Sequence, residues 1–191
     1  MSRTSDSTNN SDSELMQAYV QGDAAAFDAL FIRHGGKIYN FLLRETGDPA
    51  LAQDLTQETW LRVIRSRDRF KPGSRFTSWL YTIVFNLLRD ERKRRRRRGG
   101  ENHISIQEAD AVVDENTRPV DESAEQAEMR DAVQVAVSRL PEEQRRVLLL
   151  TKYQGLTFAE AGDLLGISEA AARQKAWRGI QTLRNVLKGN Q

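Results

Sequence analysis

The sequence predicts an all-α fold: two small helical domains joined by a flexible acidic linker. Three observations carry that expectation. Apolar side chains recur every three or four residues, and no segment alternates convincingly with the period of two that a strand needs. Glycine, proline and capping residues cut the pattern into helix-length pieces. Charge is segregated: the net charge is only +2, from 29 basic and 27 acidic side chains, yet bases crowd residues 62–98 and acids crowd 101–128. The 191 residues suffice for one domain or two small ones. A hydrophobic content of 39%, below the about 45–50% usual in globular domains, favours two modest cores.

The elements follow in order. Residues 1–12, rich in Ser, Thr, Asn and Asp, read as a disordered tail. Ser13 is the expected cap of a first helix with Leu15, Met16, Tyr19 and Val20 as its apolar stripe. Asp23 caps a second, in which Phe27, Leu30, Phe31, Ile38, Phe41 and Leu42 keep helical spacing through a weak point at Gly35-Gly36. His34 is expected on the surface. Gly47 suits a helix end, Asp48 the next cap and Pro49 the first turn that follows. The third helix is expected to turn Leu51, Leu55, Leu61 and Ile64 inward, and Pro72-Gly73 marks a loop. A fourth helix runs from Thr77 to about Arg98, apolar early and cationic late. This first domain spans 13–98.

Residues 99–123 form the linker. From 101 to 128 there are nine acidic side chains and one basic, Arg118. Helical pattern returns in a second domain, 124–191, where Ala127, Val133, Val137 and Leu140 line one face. Pro141 starts a helix with Val147, Leu148 and Leu150 inside, and Gly155 ends it.

Composition excludes several classes. The chain has no cysteine, which removes disulfides and thiolate metal sites and fits a reducing cytoplasm. No stretch approaches the roughly 20 apolar residues of a membrane span, and the polar start lacks the apolar core of a signal peptide. No phosphate loop, nucleophile elbow or metal cluster is visible, and His34 and His103 lie far apart. The expectation is a non-enzyme without cofactor or metal.

Residues 156–187 have the layout of a helix-turn-helix. Thr157 and Glu160 have capping-box spacing. Gly166 permits the tight turn, Ile167 plugs the core and Ser168 caps the second helix. Small residues at Ala161 and Gly162 allow a close crossing. The second helix presents Arg173, Gln174, Lys175, Trp177 and Arg178, while Ala172, Ala176, Ile180 and Leu183 turn inward. Arg and Gln make bidentate contacts to base edges in the major groove, and cations neutralise phosphates.

In the first domain, Asp54, Gln57, Glu58 and Leu61 share one mixed acidic and apolar helix face. Such a face suits a basic partner helix, though surface carboxylates over core leucines read the same way. Between Arg62 and Arg98 the bases interleave with Phe70, Phe76, Trp79, Tyr81 and Phe85. Cations that follow a backbone and aromatic faces that take unstacked bases describe single-strand binding. Phe70–Ser74 is a candidate pocket wall. Phe76 and Ile83 read more readily as core, and Trp79 fits either role.

With these residues in view, the chain resembles the sigma-70 family of transcription initiation factors, in its compact extracytoplasmic-function group. The resemblance rests on DLTQETWLRVIR at 54–65, FKPGSRFTSWLYTIVFNLLRDERKRR at 70–95 and LPEEQRRVLLLTKYQGLTFAEAGDLLGIS at 140–168. It implies that Asp54, Gln57, Glu58 and Leu61 meet the clamp helices of bacterial core RNA polymerase, with the polymerase flap as a further contact. It implies that Phe70, Lys71 and Ser74 belong to a loop that captures a flipped base of the −10 non-template strand. Arg75, Trp79, Asn86, Arg89 and Arg92 would face promoter DNA, and Arg145 would touch −35 phosphates. Arg173, Gln174, Lys175, Trp177 and Arg178 would enter the −35 major groove. The linker would thread toward the polymerase active site, and an anti-sigma partner is implied. Where the family opens its reading helix with a Gly-Thr-Val run and a later serine, this chain has Ala170, Ala171, Ala172 and Gln174. Gly162 and Ala161 stand for the family's alanine and isoleucine. The competing reading is a stand-alone helix-turn-helix regulator, which leaves the basic-aromatic stretch and the acidic face without a task.

Overall fold

Local capping signals set most helix starts in the computed structural model, which describes residues 11–97, 132–133 and 135–188. Helix α1, Asp12–Val20, opens on a capping box: the Glu14 N–H donates to Ser11 Oγ and the Ser11 N–H donates to the Glu14 carboxylate. The helix therefore begins earlier than expected. Ser11 can cap because an acid stands at the third helical position, whereas Ser13 would find Met16 there. Ser11 and Asp12 thus belong to the fold, and residues 1–10 of the expected tail lie outside the described residues.

Helix α2, Ala24–Thr46, is capped by Asp23 and passes unbroken through Gly35-Gly36. Gly47, at φ +65°, ends it in the left-handed region that favours glycine. Asp48 then accepts from the Ala50 and Leu51 N–H groups, and Pro49 opens α3, Pro49–Arg65. A short 3₁₀ turn, Arg67–Arg69, and the loop after it lead to α4, Phe76–Arg97. Helices α1 and α3 pack on α2, and α4 closes over α1 and α3.

The core is built from side chains such as Met16, Leu30, Phe41, Val63 and Leu80, all buried. Each such burial is worth roughly 1.5–3 kcal/mol. Tyr81 belongs with them. It stands edge-on to Phe41 and is fully buried, so it is no base-stacking surface. Burial also pushes its hydroxyl well above the ordinary tyrosine range. His34 is likewise inside, edge-on to Phe76, because the α2 face that bears it looks toward α1, where Asp12 supplies a partner. The expected inward positions on α3 hold for Leu55 but not for Leu61 and Ile64, which stay 44% and 39% exposed. Ala52, Thr59, Trp60 and Val63 fill the inner face instead, and Phe31 of α2 is also exposed.

The chain divides into two packing units between Ala109 and Asp110. The expected linker, 99–123, and Ala127 lie outside the described residues. In the second unit a helical turn at 135–138 leads to α5, Glu142–Leu148, which widens into a π turn at Leu149–Tyr153. The Gln154 N–H donates to the Leu149 carbonyl, five residues back, and Gly155 turns the chain at φ +70°. Helix α6, Phe158–Leu165, starts on the Thr157–Glu160 capping box and ends on Gly166 at φ +69°. Ser168 Oγ accepts from the Ala171 N–H at the start of α7, Glu169–Lys188. Val147, Leu148, Ala172 and Ala176 form the core of this unit, with Phe158, Leu165, Ile167 and Leu183 packed on it. A Cβ at Gly162 would lie 2.7 Å from the Ile167 carbonyl oxygen, so glycine lets α6 meet the turn closely. Every regular element among the described residues is helical.

Candidate functional site

On α3 the residues Asp54, Gln57 and Leu61 stand exposed along one stripe, as their spacing requires. Glu58 is half-buried beside them and accepts from Arg62 Nε at 3.1 Å. Ile64 continues the stripe. Phe31, with its ring centroid 5.1 Å from that of Trp60, and Ile32, 81% exposed, add further apolar surface on α2. Neither was recognised from sequence. The signal was there: Phe27, Leu30, Phe31 and Ile32 make an apolar band wider than one helix contact can cover. The α3 stripe thus combines exposed apolar groups, Leu61 and Ile64, with the carboxylates of Asp54 and Glu58.

The loop before α4 is anchored at both ends. Phe70 is buried, with its ring against Trp79 at 5.5 Å and Phe76 at 6.4 Å. It is therefore an anchor and not an open pocket wall. The Ser74 N–H donates to the Lys71 carbonyl at 3.1 Å, with Gly73 at φ +81°, which is a type II turn with Pro72 at its second position. Lys71, Pro72, Gly73 and Arg75 are exposed, and Ser74 and Trp79 are half-buried.

Beyond the loop, helical spacing puts Trp79, Asn86, Arg89 and Lys93 on one face of α4, and the last three are exposed. Arg92 points elsewhere. Its Nη2 lies 3.1 Å from the Glu45 carboxylate, which is only 2% exposed. Arg95 pairs with Glu91 and reaches Asp48, and Arg94 pairs with Glu91. Arg62 reaches Asp90 as well as Glu58. Counting charges along this stretch missed Glu45, Asp48 and Glu58, which arrive from other helices or an earlier turn. The basic run thus divides into cations that tie helices together and cations, such as Arg89 and Lys93, that face outward.

In the second unit Arg173, Gln174, Trp177 and Arg178 are exposed on α7, with Trp177 at 61%. Arg173 is oriented from two sides, by Glu169 at 2.6 Å and by the Phe158 ring 5.5 Å away. Lys175 does not join this face. It is half-buried and forms an ion pair with Glu143 of α5, whose carboxyl is held below the usual range by the hydrogen bond and charge of Lys175. Ile180, expected inside, is 42% exposed, because Gly179 takes the contact with Leu148. Arg145 is buried, and its Nη1 donates to the Ser138 carbonyl at 3.1 Å. It braces the start of α5 rather than facing outward. Among the described residues, no group of three or more His, Cys, Asp or Glu side chains is placed to hold a metal ion, and no helix is long and apolar enough to cross a membrane.

Two family models match the chain: Sigma-70 region 2 over residues 30–98, and Sigma-70, region 4 over residues 130–183. The RNA polymerase sigma factor CarQ of Myxococcus xanthus is 37% identical over 174 residues, covering 90% of this chain and 95% of the relative. The ECF RNA polymerase sigma factor SigM of Mycobacterium tuberculosis is 30% identical over 177 residues, covering 93% and 85%. Among solved structures, CnrH in complex with the cytosolic domain of CnrY matches with a TM-score of 0.58 at 24% identity, over 95% of this chain and 100% of that one. The sigma factor RpoE in complex with the anti-sigma factor NepR from Bartonella quintana matches with a TM-score of 0.60 at 22% identity, over 86% and 98%. At these identities the structural likeness speaks for the fold.

Proposed function

As a member of the sigma-70 family of RNA polymerase sigma factors, in its extracytoplasmic-function branch, the chain directs transcription initiation, and we propose that it divides this task between its two packing units. In the first, the α3 stripe of Asp54, Gln57, Glu58 and Leu61, widened by Ile64 and Phe31, docks on the basic clamp helices of core polymerase. The loop 70–74 and the α4 face of Trp79, Asn86 and Arg89 take the unpaired −10 non-template strand. In the second, Arg173, Gln174, Trp177 and Arg178 read the −35 duplex from the major groove, and a further contact is made to the polymerase flap. Lys175 joins the phosphates once DNA competes with Glu143 for its charge. Arg92 and Arg145 serve these faces from behind, as braces. The protein acts as a non-catalytic subunit in the cytoplasm, and an anti-sigma partner covers its polymerase-binding surface.

The observation that carries this reading is the presence of two unlike exposed surfaces in one chain. One unit bears an exposed acidic and apolar stripe beside a basic, aromatic-lined loop. The other bears a helix-turn-helix with an exposed Arg, Gln and Trp face. A stand-alone regulator needs only the second. Run-off transcription with core polymerase, with and without the chain, tests the reading. Promoter-dependent transcripts only in its presence are expected. No gain, together with no capture of core polymerase in a pull-down, would reduce the protein to a generic DNA binder.

A further inference from the structure

Residues 11–14 do more than begin a helix. Ser11 and Glu14 close the capping box, which fixes the backbone of the two residues between them. Those two reach in different directions. Asp12 ties α1 to α2, through His34 Nε2 at 2.7 Å and Arg33 Nη1 at 3.1 Å. Ser13 ties α1 to the loop and to α4, more than sixty residues later in the chain. Its hydroxyl donates to the Ser74 carbonyl at 3.0 Å and accepts the Phe76 N–H at 3.3 Å. The Phe76 N–H belongs to the first turn of α4 and has no partner within its own helix. One hydroxyl therefore holds both the last residue of the Lys71–Ser74 turn and the first residue of the following helix. With Phe70 buried at the other end, the exposed residues Lys71, Pro72 and Gly73 are suspended between two fixed points.

We propose that Ser13 is a positioning residue for strand capture: its hydroxyl bridges Ser74 and Phe76 and sets the 70–74 loop in the shape that receives an unpaired −10 base. The inference rests on reading that loop as the base-capturing element. A loop that is already shaped binds a flexible strand without the cost of ordering itself first. Removing the hydroxyl leaves the buried side of the loop and the α4 start without their shared partner. The loss of one such hydrogen bond corresponds to roughly a five- to tenfold change in an equilibrium. That loss falls on strand capture, because the partners of the Ser13 hydroxyl, Ser74 and Phe76, belong to the loop and the start of α4 and not to the α3 stripe.

The test uses holoenzyme assembled from core polymerase and the full chain as wild type, Ser13→Ala, Ser13→Thr and Lys71→Glu. Binding of a single-stranded −10 non-template oligonucleotide carrying 2-aminopurine, which brightens on unstacking, is measured beside core affinity and thermal unfolding. Ser13→Ala is expected to weaken oligonucleotide binding about five- to tenfold while core affinity stays within twofold, and Ser13→Thr, which keeps the hydroxyl, is expected to recover most of the loss. Wild-type strand binding by Ser13→Ala, an equal loss of core affinity, or no recovery with Ser13→Thr would overturn the proposal. If Lys71→Glu loses binding and Ser13→Ala does not, the loop reading stands and Ser13 has no positioning role. If neither variant changes binding, the loop reading falls and takes the inference with it.

Discussion

Asp12 accepts hydrogen bonds from a buried histidine and a half-buried arginine, and its carboxyl responds to both. The bond from His34 lowers it most; burial pushes the other way, and the charges of His34 and Arg33 add to the lowering. The folded value therefore lies below the ordinary 3.8. A depressed carboxyl contributes stability that is complete above the unfolded value and disappears as pH falls through the folded one. Asp12→Asn is expected to cost about 0.5–1 kcal/mol near neutral pH, discounted for the solvent that reaches the site. The gap from wild type should close below about pH 4, as measured by urea denaturation across pH. Arg145 makes a second prediction at this scale. Since its guanidinium is spent on the Ser138 carbonyl, Arg145→Ala should cost about 2 kcal/mol through lost packing and an orphaned acceptor. The salt dependence of −35 binding should stay unchanged, which quantitative binding at several salt concentrations would check.

Helix α4 shows how one element carries two kinds of cation. Arg92 neutralises Glu45 where little water reaches the carboxylate, and removing one partner of a buried pair costs about 3–5 kcal/mol when no solvent helps. With Arg92 itself partly exposed, Arg92→Ala is expected to lose about 2–3 kcal/mol, read as a fall in unfolding temperature. Arg89, one turn earlier and exposed, should behave in the opposite manner. Arg89→Ala is expected to leave stability within about 0.5 kcal/mol. It should instead weaken −10 strand binding by holoenzyme and reduce the salt slope by about 0.7, the share of one phosphate contact on a single strand. The run from Arg92 to Arg98 looks uniform as a string of letters. Arg92 and Arg95 part company with Lys93 because Glu45 comes from α2 and Asp48 from the turn after it, while Glu91 of the same helix holds Arg94 and Arg95.

Across the whole molecule, the two units predict separable defects. Leu61→Asp places a charge in the exposed apolar part of the α3 stripe and is expected to weaken core capture at least tenfold without altering promoter choice. Arg178→Ala removes a cation from the α7 face and is expected to weaken −35-dependent initiation by about 1–3 kcal/mol while core affinity is unchanged. Core titration and start-site mapping on both variants would check the pattern, and a reversed pattern would exchange the tasks of the two units.

The punctuation of the fold was legible before any coordinates. Asp23, Gly47-Asp48-Pro49, Thr157 with Glu160, and Gly166 with Ser168 all act within a turn of themselves, and all do what their local chemistry dictates. The exposure of Arg173, Gln174, Trp177 and Arg178 on α7 was legible for the same reason, whereas that of Lys175 was not. What sequence could not decide was which apolar stripe a neighbouring helix would cover. Ile64 and Ile180 stay outside, Tyr81 and His34 go inside, and Arg145 becomes a brace, each because of a partner on another element. Ser13, read as a cap for its own helix, caps another one instead. Helix starts and ends follow from the hydrogen bonds a short segment can satisfy alone. Burial, ion pairing and the shape of the loop follow from surfaces that meet only when distant segments are packed together.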